Sequence, residues 1–246
     1  MEISNFKEEN IIYKIDQGVE GIVYLYNDNG RKVAFKKLFD DEEIIKSNRN
    51  KELKISILQN EEVLKNDMKL LNRIYYMGKF IGYTSVYEPY DPLDYGKSLE
   101  YKLYALRLLR ERYEELNNRG IYIGDFNNQN FCLTDGRIKL YDIDNFRIDS
   151  LDLHFNVYNS TMEEYFNKCK TIDNIDYYCF NYFALSYLMN IEVDYVLKGE
   201  FIEYLPKILR KNEVIEFIKS LEFINDNTKI EKDSTGKRKT LLNLIK

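Results

Sequence analysis

Apolar residues come in short bursts near the start of the chain and at helical spacing further on. Ile11 to Ile15, Ile22 to Tyr26 and Lys32 to Leu38 are short runs rich in β-branched and aromatic residues, which suit strands. Gly18 and Gly21 stand before the second run, and Asn29-Gly30 before the third. An Asn-Gly pair supplies the two positive-φ positions of a tight hairpin turn, so a three-stranded antiparallel meander is expected. Residues 41 to 65 are charged with recurrent Ile and Leu and read as helix. Ile74 to Met77 and Phe80 to Tyr87 read as a further hairpin, turning at Gly78-Lys79.

Pro89 and Pro92 then interrupt regular structure, making 88–94 a connector. Beyond it Leu103, Leu106, Leu109, Tyr113 and Leu116 recur at helical spacing, and Gly120 is a candidate C-cap. Short strands are expected at 121–123, 131–133 and 137–141, the last two joined at Asp135-Gly136, with helices after Asp173. A strand-rich first third thus joins a helix-rich remainder through a proline-bearing hinge, an α+β arrangement.

Composition narrows the classes. Of 246 residues, 44% are hydrophobic and 31% charged, as in an ordinary globular chain. A net charge of -5 disfavours a nucleic-acid binder. Cys132, Cys169 and Cys179 are odd in number and lack metal-site spacing, which points to a reducing, cytoplasmic setting. The opening MEISNFKEEN is polar and acidic, unlike a signal peptide. The most apolar stretch, Tyr177 to Val193, is interrupted by Asn181, Asn190 and Glu192, so a core helix is expected there and no membrane partner.

Three segments carry candidate chemistry. Asp16-Gln-Gly18-Val-Glu-Gly21-Ile-Val23 places two glycines in a turn, where backbone can approach a phosphate without an intervening Cβ. Val33-Ala34-Phe35-Lys36 puts a lysine on the next strand. Asp125 is followed five positions later by Asn130 between apolar strand residues, and Asp142 closes a strand twelve positions after Asn130. Phosphoryl transfer needs phosphate-covering amides, a neutralising lysine, metal ligands and a carboxylate for the attacking hydroxyl, and these segments offer candidates for each.

In this order the segments resemble the protein-kinase-like superfamily, in particular its divergent bacterial or phage Ser/Thr kinase-like members. Gly18 and Gly21 match the second and third places of the glycine-rich loop, with Asp16 in the first. Lys36 matches the V-A-I-K lysine, Asp125 and Asn130 the D-x-x-x-x-N loop, and Asp142 the D-F-G aspartate. Asp176 resembles the anchor of the long C-lobe helix, and Arg238 the late arginine that pairs with Glu163 or Glu164.

The resemblance implies one bilobal domain over 1–246. Its N-lobe (1–87) would hold an antiparallel five-stranded sheet plus a helix, its hinge would be 88–94, and its C-lobe (95–246) would be mainly helical. It implies ATP and Mg2+ as cofactors and a protein or small-molecule phosphoacceptor as partner, with a protein serine/threonine kinase as the expected function and a small-molecule phosphotransferase or a pseudokinase-like nucleotide-binding module as the alternatives. Asp125, Lys36 and Asn130 would be catalytic, and Asn130 and Asp142 would hold the metal. Glu52 would pair with Lys36, with Glu61 and Glu62 as rivals. Val23, Ala34 and Cys132 would enclose the adenine, Glu88 and Tyr90 would meet its edge, Asp94 the ribose, and Tyr87 would be gatekeeper. The pattern departs from the family at Ile123-Gly124-Asp125, which has no arginine before the aspartate, at Asn127 in place of a lysine, and at Asp142-Ile-Asp144 in place of D-F-G.

Overall fold

The computed structural model describes residues 3–40, 51–89, 91–148 and 175–189. Tyr90, Glu163, Glu164 and Arg238 lie outside the described residues. Contacts divide the chain into one unit of Met1–Asp91 with Lys139–Asp144 and another of Pro92–Ile138 with Asn145–Lys246.

The first unit is built on a six-stranded sheet. β1 (Ile3–Asn5), β2 (Ile11–Gln17), β3 (Gly21–Asp28), β4 (Arg31–Leu38), β5 (Leu70–Tyr76) and β6 (Lys79–Val86) lie in the order β1-β5-β6-β4-β3-β2. Five strands are antiparallel neighbours, and β1 adds to the edge in parallel with β5. The turns follow their residues: Asn29 and Gly30 both have positive φ, 51° and 86°, as a tight hairpin with right-handed strand twist requires. The β5–β6 turn falls at Met77-Gly78 (φ 50° and 78°), one residue earlier than the sequence suggests. β5 also starts earlier, because Leu70 is buried although Asn72-Arg73 hides the apolar pattern.

Strand register sorts side chains onto two faces. Tyr26, Val33, Phe35 and Ile74 form an apolar cluster on one face, packed by Phe6, Ile11 and Tyr24. The other face carries Val23 opposite Lys36, Lys36 opposite Tyr83, and Ala34 opposite both Leu25 and Ser85. Residues 41–50 lie outside the described residues, and helix α1 (Lys51–Leu58) ends before residue 65, earlier than the charged stretch suggests. It buries Lys51, Lys54, Ile55 and Leu58, a stripe at i, i+3, i+4 and i+7, and ends at Gln59-Asn60; Glu62–Leu64 is only a 3-10 turn.

The second unit centres on α2 (Leu99–Asn117) and α3 (Ile175–Met189). Ser98 caps α2 by accepting from the Tyr101 amide at 3.3 Å, and Leu103, Leu106, Leu109, Tyr113 and Leu116 are buried along one face. Tyr113, Phe126, Phe131, Phe180 and Phe183 interlock with ring centroids 5.2 to 6.5 Å apart. β7 (Ile121–Tyr122) pairs with β10 (Arg147–Ile148), and β8 (Phe131–Thr134) forms a hairpin with β9 (Arg137–Leu140) through Asp135-Gly136. The architecture is α+β, and no helix among the described residues is long and apolar enough to cross a membrane.

Candidate functional site

A cluster of buried charge sits on the Lys36 face of the sheet. Lys36 Nζ lies 3.0 Å from Asp142 Oδ1, 3.0 Å from Asp144 Oδ2 and 3.3 Å from Glu20 Oε2. Lys51 Nζ lies 2.9 Å from Glu20 Oε2 and 2.8 Å from Asp144 Oδ2. Tyr83, wholly buried beside Lys36 in the strand register, sets its phenol against Asp144.

The backbone explains how residues so distant in sequence meet. Asp67, itself buried, accepts from the Leu140 amide at 2.8 Å, and the Met68 amide donates to Leu140 O at 2.9 Å. This clamp fixes the end of β9, after which Asp142 adopts φ 52°. That left-handed conformation is uncommon outside glycine, and aspartate is among the residues that tolerate it.

Burial and neighbours set the charges. Burial opposes the charge on Asp144, but Lys36 and Lys51 outweigh it and hold its carboxyl well below the usual range. Asp142 is pushed up to about 6, by burial first and the Asp144 charge second, with Lys36 working against both. Asp144 has no exposed side-chain surface, whereas Asp142 keeps 38% of its own. Burial also opposes the charge on Lys36; Asp144, Tyr83, Asp142 and Glu20 overcome it and raise the ammonium well above its ordinary value.

The expected partner of Lys36 is corrected. Glu52 binds Arg73 at 3.0 Å and the Tyr75 hydroxyl, and does not serve Lys36. The reason is helical phase: the inward stripe of α1 runs through Lys51, Lys54, Ile55 and Leu58, which turns Glu52 aside. Neither rival replaces it, since Glu62 pairs with Lys65 and Glu61 heads a 3-10 turn. Sequence reasoning missed Glu20, Lys51, Asp144 and Tyr83 as members of the cluster. Glu20 lay in view between Gly18 and Gly21, and a buried lysine leaves no trace in an apolar periodicity.

The glycines differ in purpose. The Gly18 amide donates to Gly21 O at 3.0 Å, closing the turn around Glu20. A Cβ on Gly21 would stand 2.3 Å from Lys37 O, whereas one on Gly18 would meet nothing within 4 Å. Gly21→Ala should therefore destabilise the chain by about 1–3 kcal/mol through overpacking, and Gly18→Ala should be nearly neutral. Thermal melts of both variants without nucleotide check this.

Of the other residues on this unit, Val23 and Ala34 share the Lys36 face and are half-buried. Glu88 pairs with Lys139. Tyr87 is 41% exposed with its hydroxyl 3.3 Å from that of Tyr13, so it plugs no buried gap; Tyr83 is the aromatic packed beside Lys36.

In the second unit, Asn130 Nδ2 donates to Asp125 O at 3.0 Å and to Asp125 Oδ2 at 3.1 Å, and Asn127 Nδ2 donates to Asp125 Oδ2 at 2.9 Å. Two amide side chains thereby fix the Asp125 carboxylate. Asp176, at the start of α3, accepts from the Ile123 and Gly124 amides at 2.8 Å each and so anchors the backbone just before Asp125. Cys132 is buried and its Sγ lies 3.1 Å from the Thr134 hydroxyl, while exposed Asp94 accepts from the Gly96 amide.

Complete burial pushes Asp176 up to about 7, although the two amides and Arg147 favour its charged form. A folded value above the ordinary 3.8 means that the folded chain binds a proton more readily than the unfolded one. The contribution of Asp176 to stability is thus fullest below pH 4 and declines as pH rises to 7. Asp176→Asn should remove that decline, which denaturant titrations between pH 4 and 8 would reveal.

Among the described residues no group of three or more His, Cys, Asp or Glu side chains is placed to hold a metal ion. A magnesium ion is typically held by only one or two carboxylates, with phosphate and water completing its shell. The partly exposed Asp142 carboxylate, a hard oxygen donor beside Asp144, fits that requirement. No protein-family model and no curated protein matches the chain.

Proposed function

We propose that the chain is an ATP-dependent phosphotransferase with a bilobal, protein-kinase-like fold, and that it transfers the terminal phosphate to a serine or threonine hydroxyl of a protein. Residues 1–87 serve as the N-lobe, 88–94 as the hinge and 95–246 as the C-lobe. The observation that carries this reading is the bonding of Lys36 to Asp142 and Asp144, the acids that follow β9, on the sheet face that also presents Val23 and Ala34. A lysine on that strand face can neutralise phosphates while the half-buried apolar residues beside it pack a base.

Magnesium, when bound, would neutralise phosphate charge. Asp142 is its ligand on this unit, and the motif order assigns Asn130 to the same task. Asp125 orients the acceptor hydroxyl and takes up its proton, its carboxylate steadied by Asn127 and Asn130. Gly18 to Gly21 cover the phosphates.

A small-molecule hydroxyl is the second reading, favoured by Asn127 standing where protein kinases carry a basic residue. Calorimetry of ATP binding with and without magnesium, followed by terminally labelled ATP with protein and metabolite acceptors, tests both. The expected result is magnesium-dependent binding and label on protein. Label on a small alcohol instead selects the second reading, and absence of nucleotide binding ends both.

A further inference from the structure

One of the three acids on Lys36 comes from the glycine turn, and the helix contributes a second cation. Glu20 Oε2 and Asp144 Oδ2 each contact both Lys36 and Lys51, at 2.8 to 3.3 Å. The four groups form a closed ring of alternating charge. Lys51 is 3% exposed and Glu20 8%, so water screens the ring poorly. Asp142 adds a third carboxylate on Lys36.

We infer that Glu20 and Lys51 are positioning residues for nucleotide phosphate: Glu20 holds the Lys36 ammonium in place of a helix glutamate, and Lys51 shares Glu20 and Asp144 so that Lys36 keeps charge to offer a phosphate. The inference rests on the phosphotransferase reading. Its physical basis is local charge. Among the described residues, three carboxylates and two ammonium groups leave one net negative charge in the cluster. Removing Lys51 leaves three carboxylates around one ammonium, a field that repels phosphate. Removing Glu20 takes a contact from each lysine and frees the turn between Gly18 and Gly21 from α1.

A merely structural ion pair makes a different prediction, because neutralising both members together would restore everything it does. The full chain is therefore compared with Glu20→Gln, Lys51→Met and the double variant. Melting is followed without nucleotide, Mg-ATP affinity by calorimetry, and transfer by label.

The single variants should lower the melting temperature and weaken Mg-ATP binding about tenfold or more, the scale of a lost hydrogen bond to a charged group. The double variant should regain much of the melting temperature but not the affinity, since Lys36 then has only Asp142 and Asp144 and no longer the Glu20 contact from the glycine turn. If a single variant fails to fold, the double variant alone decides. Wild-type affinity in the double variant, or in both single variants, overturns the inference and leaves the phosphotransferase reading standing. A wild-type chain that binds no Mg-ATP overturns that reading, and this inference with it.

Discussion

Lys36→Met should reduce phosphoryl transfer by about 10²–10³ and destabilise the fold in the same stroke. The rate effect follows from losing one preorganised electrostatic contact to the phosphates. The stability effect follows from the cluster itself. Lys36 is 14% exposed and touches Glu20, Asp142 and Asp144, so its removal leaves Lys51 to offset three carboxylates. Breaking a buried pair by deleting one member typically costs about 3–5 kcal/mol, because the remaining charge stays buried. Lys37→Met is the control. Lys37 lies on the opposite sheet face with its ammonium 5.2 Å from the Phe6 ring centroid, an interaction of about 0.5–1 kcal/mol. Urea titrations of the two variants beside labelled-ATP turnover check both effects. Equal stability losses would show that Lys36 is not the centre of a charge cluster.

Asp125→Asn should separate chemistry from nucleotide binding. The substitution keeps the shape of the side chain and removes the carboxylate that would take the acceptor proton. Transfer should fall by about 10²–10⁴, the range for loss of a general base. Mg-ATP affinity should stay near wild type, since Lys36, Glu20, Lys51 and Asp142 are untouched. Asp142→Asn should instead weaken magnesium-dependent binding and transfer together. Calorimetry beside single-turnover labelling distinguishes the two patterns. Full transfer by Asp125→Asn would remove Asp125 from the proposed chemistry.

Turns and long apolar stripes were legible in the sequence because their causes are local. Asn29-Gly30 and Asp135-Gly136 announce their hairpins through the positive φ their turns demand. The stripe from Leu103 to Leu116 announces α2 through burial on one face. β1 was not legible: three residues, Ile3 to Asn5, pair with the sheet edge through backbone, and no side-chain pattern of that length stands out.

The candidate site divides in the same way. Lys36 and Asp142 stand out because Lys36 follows the apolar run Val33 to Phe35 and Asp142 follows the strand Arg137–Leu140. Lys51 does not, because a lysine at a helix start reads as solvated until its acid partners are in place. The choice of Glu52 failed through phase. Ile57 is only half-buried while Lys54 is buried, a phase that turns Glu52 toward Arg73.

The clamp on Leu140 has a consequence for how the chain acquires its structure. Lys36 bonds to Asp142 and Asp144 across sequence separations of 106 and 108 residues. At a synthesis rate of about 5–20 residues per second, roughly 5–20 s pass between the emergence of the lysine and that of its acids. Through that interval a nascent sheet would carry two inward-facing ammonium groups with Glu20 as the shared acid from its own stretch of chain. Closing so long a loop delays the contacts that reward it, which slows folding. A fragment ending at Asp91 should therefore fold poorly when released alone. Supplying the missing strand as a separate peptide spanning residues 137–146 should restore protection of the Lys36 strand in hydrogen exchange.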